Sequence, residues 1–516
     1  MWVEGQRHGF AARGPRNAQG FFQQGPVTEV DAVEVADGHG WAAQGSTQVL
    51  DDAAAAPNRM HSFRDTGRRS LRQISSFSTS DPLSLQIAPM TRVWKGRDWP
   101  ALDPAIFAGV LVIYALVLPL GLARIEGAPQ VAAGIALDTS AQPAFFALLA
   151  MRVGQFVPLG DMPMRANLVS AVLCALAIAL VCRACLQVCA LLRPPTNARQ
   201  EAWDFVHEPI AATGAALAAA FSLSTFDLGV SAGSAAATLV VLAAALLPGF
   251  VVLRDHNHVT AGYLLAGIAG FTAGVDPVAG PLLWPPLVGL AIWSLRKGAR
   301  WPLLAPLCFV VAWGTSALAN VAAASVPMAA TRLFSGVGQM GMHGGGGLWS
   351  SAVELADEVG VVGALLAAIG IVVLATRAAV LTAWLALTVL TSLLFAHSAE
   401  RAAALWDPTR AALPLAIAVT CVFACVGLLH VSSRLGRARV AATFALAAMV
   451  VLSPAMDSGR SRRRAALPMH LLDRALFRAE VNAMVCPGTA EMDGLFRLAH
   501  AEGVRPDLEI VRCGGK

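Results

Sequence analysis

Eleven apolar runs, most about the length that crosses a bilayer, constrain this chain more than any motif does. They fall near 105–122, 167–192, 206–222, 227–253, 259–276, 278–295, 302–322, 357–375, 378–396, 411–431 and 438–454. A helix needs roughly 20 apolar residues to cross about 30 Å of hydrocarbon, and several of these runs reach that length. Inside lipid every backbone polar group must be satisfied within its own segment, so such runs can only be helices. The third run is the weakest. Hydrophobic residues make up 56% of the 516 and charged residues only 14%, which leaves too little charge to solvate a soluble domain. The expected fold class is an all-α polytopic membrane protein with about 11 transmembrane helices.

Basic residues give the spans a direction. Arg193 and Arg199, Arg254, Arg296 with Lys297 and Arg300, Arg377, and Arg434 with Arg437 and Arg439 all fall on alternate loops. The positive-inside rule places those loops, and the N-terminus, in the cytoplasm. Four segments then face outward: the loop from Arg124 to Arg165, the loop from Ala323 to Glu358, the loop from His397 to Arg410, and the tail after Pro454. The expected location is a bacterial inner membrane, with the C-terminus periplasmic.

Three regions follow. Residues 1–95 are rich in Gly, Ala, Gln, Ser and Arg without sustained apolar periodicity, and read as a disordered low-complexity cytoplasmic tail with no secretory signal. Residues 96–455 form the multi-span domain. Residues 456–516 read as a small periplasmic α/β appendage: a strand around 482–486, a helix after Thr489, and a second strand at 508–511. The net charge of +5 is small for this length, and no basic stripe interleaved with aromatics marks a nucleic-acid partner.

Cysteines sort by location. Cys174, Cys182, Cys185, Cys189, Cys308, Cys421 and Cys425 sit in spans and read as small buried hydrophobes. Cys182 and Cys185 have the spacing of a metal or redox pair, but no second pair or histidine follows, so no metal is expected. Cys486 and Cys513 lie on the oxidising side and would suit a disulfide if the two strands are neighbours.

Candidate chemistry concentrates in the outward segments. Glu126 and Asp138 are the only carboxylates of the first outward loop before Asp161, in an apolar, Gly/Ala-rich setting. A carboxylate partly desolvated at the bilayer surface can act as a general base toward a hydroxyl, although incidental charges on a solvated loop fit the same residues. Phe145, Phe146, Leu148, Leu149, Val153 and Phe156 line one face of an amphipathic helix expected to lie in the interface, with Arg152 on another. Arg152 and Arg165 are then within reach of a lipid-linked phosphate, or of ordinary lipid headgroups. The long outward loop carries Arg332 and His343 among glycines. Ser350 or Ser351 is expected to cap the next helix, with Glu354 three or four residues on. Glycines before a helix can turn backbone N–H groups toward an anion, but the run lacks the Gly-Lys-Ser/Thr of a phosphate-binding loop. Glu208, Asp227 and Asp276 are charges inside or at the ends of spans, a placement that is functional more often than not.

A resemblance joins these pieces. Segment 105 to about 320 resembles the bacterial membrane glycosyltransferases related to protein O-mannosyltransferases. In that family an outward loop like Asp-Ser-Gly-Glu, then His-Pro-Pro-Gly-x-Pro, leads through an interfacial helix to Arg-x-Asn-x-x-Ser-Ala at the second span. Arg165, Asn167, Ser170 and Ala171 match the last motif, and aligning Pro143 with the family's last proline puts Glu126 on its glutamate. Ala123 or its neighbourhood replaces the family's aspartate, and Asp138, Thr139, Ser140 and Ala141 replace His-Pro-Pro-Gly.

The resemblance implies a C-type glycosyltransferase architecture that moves a sugar from a polyprenyl-phosphate donor to a protein or glycan acceptor. It needs no cofactor. Glu126, with Asp138 nearby, would serve as base; Arg165, Arg332, Arg401 and Arg410 would hold the donor phosphate. The altered loop leaves open a catalytically silent relative that binds lipid-linked glycan or scaffolds an envelope assembly. A secondary transporter ranks last, because no convincing internal repeat is present.

Overall fold

The computed structural model describes residues 101–118, 131–132, 145–192, 198–233, 235–275, 280–322, 347–401, 411–435, 438–462, 484–485 and 509–510. Thirteen helices of eight or more residues run through them: α1 Leu102–Val117, α2 Phe145–Gly154, α3 Met162–Leu192, α4 Ala198–Phe221, α5 Leu223–Val230, α6 Ala235–Arg254, α7 Val259–Val275, α8 Trp284–Arg296, α9 Trp301–Ala322, α10 Gly347–Arg377, α11 Ala379–Arg401, α12 Ala412–Ser433 and α13 Arg439–Arg462. Most of the described residues of the apolar runs are helical. Among the described residues six helices are long and apolar enough to cross a membrane, namely α3, α6, α9, α10, α11 and α12; α4 with α5 makes a seventh if the bent pair counts as one span. The chain is a helical membrane protein. Its lipid belt is visible in side chains such as Leu303, Leu307, Val311 and Leu318 of α9, each more than half exposed.

Three runs depart from simple spans. The third ends at Ser222, whose ψ of 143° leaves the helical region, and α5 leaves α4 at 70°. The fourth begins within α5 and, past the non-helical residues 231–233, continues as α6. The sixth opens with a 3-10 turn, Gly280–Leu283, before α8 begins at Trp284 with a proline in its first turn. The long outward segment also ends earlier than expected. Helix α10 starts at Gly347, so Ser350 and Ser351 lie inside its first turns rather than capping it.

Small residues set the packing, as expected where lipid offers no hydrophobic drive between helices. A Cβ on Gly370 of α10 would strike the Phe423 carbonyl, and one on Gly427 of α12 would strike the Leu366 carbonyl, so these helices meet backbone to backbone. Along α7, Gly262, Gly270 and Gly274 receive Trp301, Phe309 and Ser316 of α9 in the same order, so the two helices run parallel with α8 returning between them. Helix α12 is apolar all round and almost wholly buried, the pattern of a central helix. Against it, α3 buries Cys182, Cys185 and Cys189; the Cys189 Sγ lies 3.8 Å from Cys425 Sγ, and none of these cysteines forms a disulfide. Among the described residues no three His, Cys, Asp or Glu side chains gather to hold a metal.

Long-range bonds sort the helix ends onto two sides, as the charge pattern requires. Asp103 with Arg183 (3.7 Å) and His207 with Thr443 (2.9 Å) join ends expected on the basic side. Tyr114 with Ala220, Glu358 with Ser224, and Asn167 with Ala232 join ends expected on the other. In the tail, Met484–Val485 (β1) pairs in parallel with Glu509–Ile510 (β2), so the two expected strands are neighbours. Cys486 and Cys513 lie outside the described residues.

Candidate functional site

The break between α4 and α5 takes polar partners from α1 and α10, and the far end of α5 takes them from α3, all on the predicted outer side. The local cause of the break is Ser222. The Ser222 Oγ sits 2.9 Å from both the Ala219 carbonyl and the Thr225 hydroxyl, which occupies groups that a continuous helix would use differently. The turn frees the Ala220 carbonyl, and the Tyr114 hydroxyl of α1 donates to it at 2.8 Å from a fully buried position. The Tyr114 ring meets Phe226 edge-on at 5.6 Å and lies on Gly229, where a Cβ would collide with it.

Beyond the break, the first amides of α5 need acceptors. Glu358 of α10 supplies them. One carboxylate oxygen accepts from the Ser224 hydroxyl at 2.6 Å, and the two oxygens lie 3.2 and 3.1 Å from the Ser224 amide. The Leu223 amide adds a further bond to this carboxylate. A carboxylate at a helix N-terminus also complements the helix dipole. Asp227, one turn further along α5, is close enough to act electrostatically on Glu358, so two acidic groups share this end of the bundle. Two residues after Glu358, Gly360 takes φ 75° and interrupts α10; a Cβ there would meet the Ser453 hydroxyl of α13. Two interrupted helices therefore touch through one carboxylate.

The far end of α5 is held as firmly. The Ser231 amide bonds to the Asp227 carbonyl at 3.0 Å, and the Ser231 hydroxyl donates to the same oxygen. The Ala232 amide donates to Asn167 Oδ1 at 2.8 Å and the Gly233 amide to Ser170 Oγ at 3.3 Å, from α3 side chains that are fully buried.

Arg165 precedes those two residues on α3. Its guanidinium donates to three carbonyls of the preceding turn: Nη1 to Gln155 at 2.9 Å, Nη2 to Gly160 at 3.1 Å and Nε to Leu159 at 3.2 Å. Three of its five N–H groups thus fasten the chain to itself, leaving two for a ligand. Asp161 starts α3 by accepting the Met164 amide at 2.8 Å, and Gly160 makes the turn with φ 57°. The turn lashes α2 across α3, α6 and α7. Helix α2 is the expected amphipathic one: Met151 is buried and Gly154 lets it approach Val169, while Leu149, Val153 and Phe156 are turned outward with Arg152 exposed.

Of the sequence candidates, Arg165 and Asp227 stand in this network. Glu208 lies on α4 beside His207, at the opposite end. Arg401 ends α11, its side chain not among those described, and Glu126, Asp138, Asp276, Arg332, His343 and Arg410 lie outside the described residues. Glu358, Ser224 and Tyr114 were not singled out as site residues by sequence. A signal for Glu358 existed: a carboxylate one residue inside an apolar run, followed closely by glycine, is a boundary that can also be an interruption. No protein-family model matches the chain, and no curated protein matches it.

Proposed function

We propose that the chain is an inner-membrane glycosyltransferase of about eleven spans and C-type architecture, moving a sugar from a polyprenyl-phosphate donor to an acceptor on the periplasmic side. One observation carries the reading. The segment that resembles the family's second-span motif lies at the end of the bundle that also holds α2, the bend between α4 and α5, and the interruption in α10. That is the place at which a lipid-linked donor, held at bilayer depth, would meet an acceptor arriving from water. Glu126 acts as base toward the acceptor hydroxyl, with Asp138 beside it. Arg165, through its two remaining N–H groups, and Arg332, Arg401 and Arg410 hold the phosphate that leaves. Attack on the anomeric carbon displaces the polyprenyl phosphate and inverts the centre; the acceptor proton goes to the carboxylate. The test is transfer by the purified protein, in nanodiscs, from a panel of polyprenyl-phosphate sugars; it is expected to require Glu126, and activity unchanged in Glu126→Gln removes that residue from the chemistry.

A second reading has its own support. Arg165, Asn167 and Ser170 are all bonded to the protein itself, so the motif accounts for fold without any chemistry. A silent relative that binds lipid-linked glycan, or scaffolds an envelope assembly, is equally consistent with those bonds. Binding of polyprenyl phosphate that survives Glu126→Gln, with no turnover of any donor, favours it.

A further inference from the structure

We infer that Glu358 is a positioning residue which, through α5, sets the placement of the α2–α3 turn at the other end of that helix. Helix α5 has eight residues, about 12 Å of rigid rod. Its first amides are held by Glu358 of α10, and its sides are gripped by Tyr114 and Gly229 in contact. The amides just past its last residue are held by Asn167 and Ser170 of α3, one turn from the Arg165 clamp that fixes the carbonyls of Gln155, Leu159 and Gly160. The bonds form one contiguous chain from the interruption in α10 to the foot of the interfacial helix.

Three features make α5 a strut rather than filler. It is set off from its neighbours at both ends, by the bend at Ser222 and by the non-helical residues 231–233. Side chains from other helices fasten it at both ends: Glu358 at its first amides, and Asn167 and Ser170 at the two residues that follow Ser231. Those fastenings are polar bonds from buried or half-buried groups, and breaking one exposes the desolvation cost of a polar group. Helix α10 follows the segment 323–346 and α2 follows the segment 119–144, so the strut ties together the chain stretches that lead out of two different predicted outer loops. The inference does not rest on glycosyl transfer.

Hydrogen exchange of the full chain in lipid nanodiscs tests it without any substrate. In Glu358→Ala, amides of 222–233 and also those of 155–165 are expected to exchange about tenfold faster, because one opening reaction exposes both. Ser224→Ala, a smaller change that leaves the backbone bonds, is expected to do the same about threefold. Asn167→Ala cuts the strut at its other end. If the coupling runs through α5, adding Glu358→Ala to Asn167→Ala accelerates 155–165 no further, a non-additivity that two independent losses of stability do not produce. Acceleration confined to 222–233 overturns the inference, as do effects of the two substitutions that multiply at 155–165. Where Glu358→Ala does not yield folded protein, Ser224→Ala decides by the same criterion, alone and combined with Asn167→Ala.

Discussion

Glu358 and Ser224, 134 residues apart in sequence, are joined by a 2.6 Å hydroxyl–carboxylate bond that closes the N-terminus of a half-helix. Removing the carboxylate leaves the Leu223 and Ser224 amides without their acceptor. Glu358→Ala is therefore expected to destabilise the folded protein by about 1–3 kcal/mol, and Glu358→Gln, which keeps one acceptor oxygen, by less. Thermal unfolding in one detergent, followed by intrinsic fluorescence, ranks the three proteins.

Tyr114→Phe removes one hydroxyl and keeps the ring against Phe226 and Gly229. The Ala220 carbonyl then loses its donor inside the protein, at a cost of about 1 kcal/mol or somewhat more. The same unfolding measurement detects it; a stability equal to wild type would mean that the carbonyl finds another donor.

The glycines divide into two classes with opposite expected outcomes. Gly370→Ala and Gly427→Ala drive a methyl group into a backbone carbonyl of the facing helix and are expected to abolish recovery of folded protein. Gly267→Ala and Gly314→Ala meet nothing within 4 Å and are expected to be neutral or slightly stabilising. Size-exclusion profiles of the four variants, compared at equal expression, separate the classes.

Arg165→Lys tests whether the guanidinium acts by charge or by shape. A single ammonium cannot reproduce the fork that reaches three carbonyls, so the substitution is expected to loosen the α2–α3 turn although the charge is kept. Proteolysis or exchange at residues 155–165 reads the effect; a turn as protected as in wild type would show that charge suffices.

Thiol labelling checks the core and the tail together. Cys174, Cys182, Cys185, Cys189, Cys421 and Cys425 are buried and are expected to resist N-ethylmaleimide until the protein is denatured in SDS. Cys486 and Cys513 are expected to react only after reduction, and mass spectrometry of labelled peptides counts both groups.

The apolar runs and the alternation of basic loops made the helices and their two-sided arrangement legible, because both are properties of residues close in sequence. The break at Ser222 was not legible. Serine is tolerated within apolar helices, and the partners that hold the chain at the break come from α1 and α10, which no local pattern reveals. Glu358 read as a loop boundary because its ligand is an amide 134 residues away. Arg165 shows the reverse: its match to a family motif suggested a phosphate ligand, whereas its geometry spends three N–H groups on the turn that the motif needs in order to fold.

The most direct measurement of the proposed activity is release of polyprenyl phosphate from lipid-linked sugar donors by the purified, nanodisc-embedded chain, followed by mass spectrometry. The account predicts acceptor-dependent release with at least one donor, reduced by about a hundredfold or more in Glu126→Gln, the scale on which a positioned general base contributes. Donors that bind and are recovered intact, at the same level with wild type and with Glu126→Gln, would contradict it.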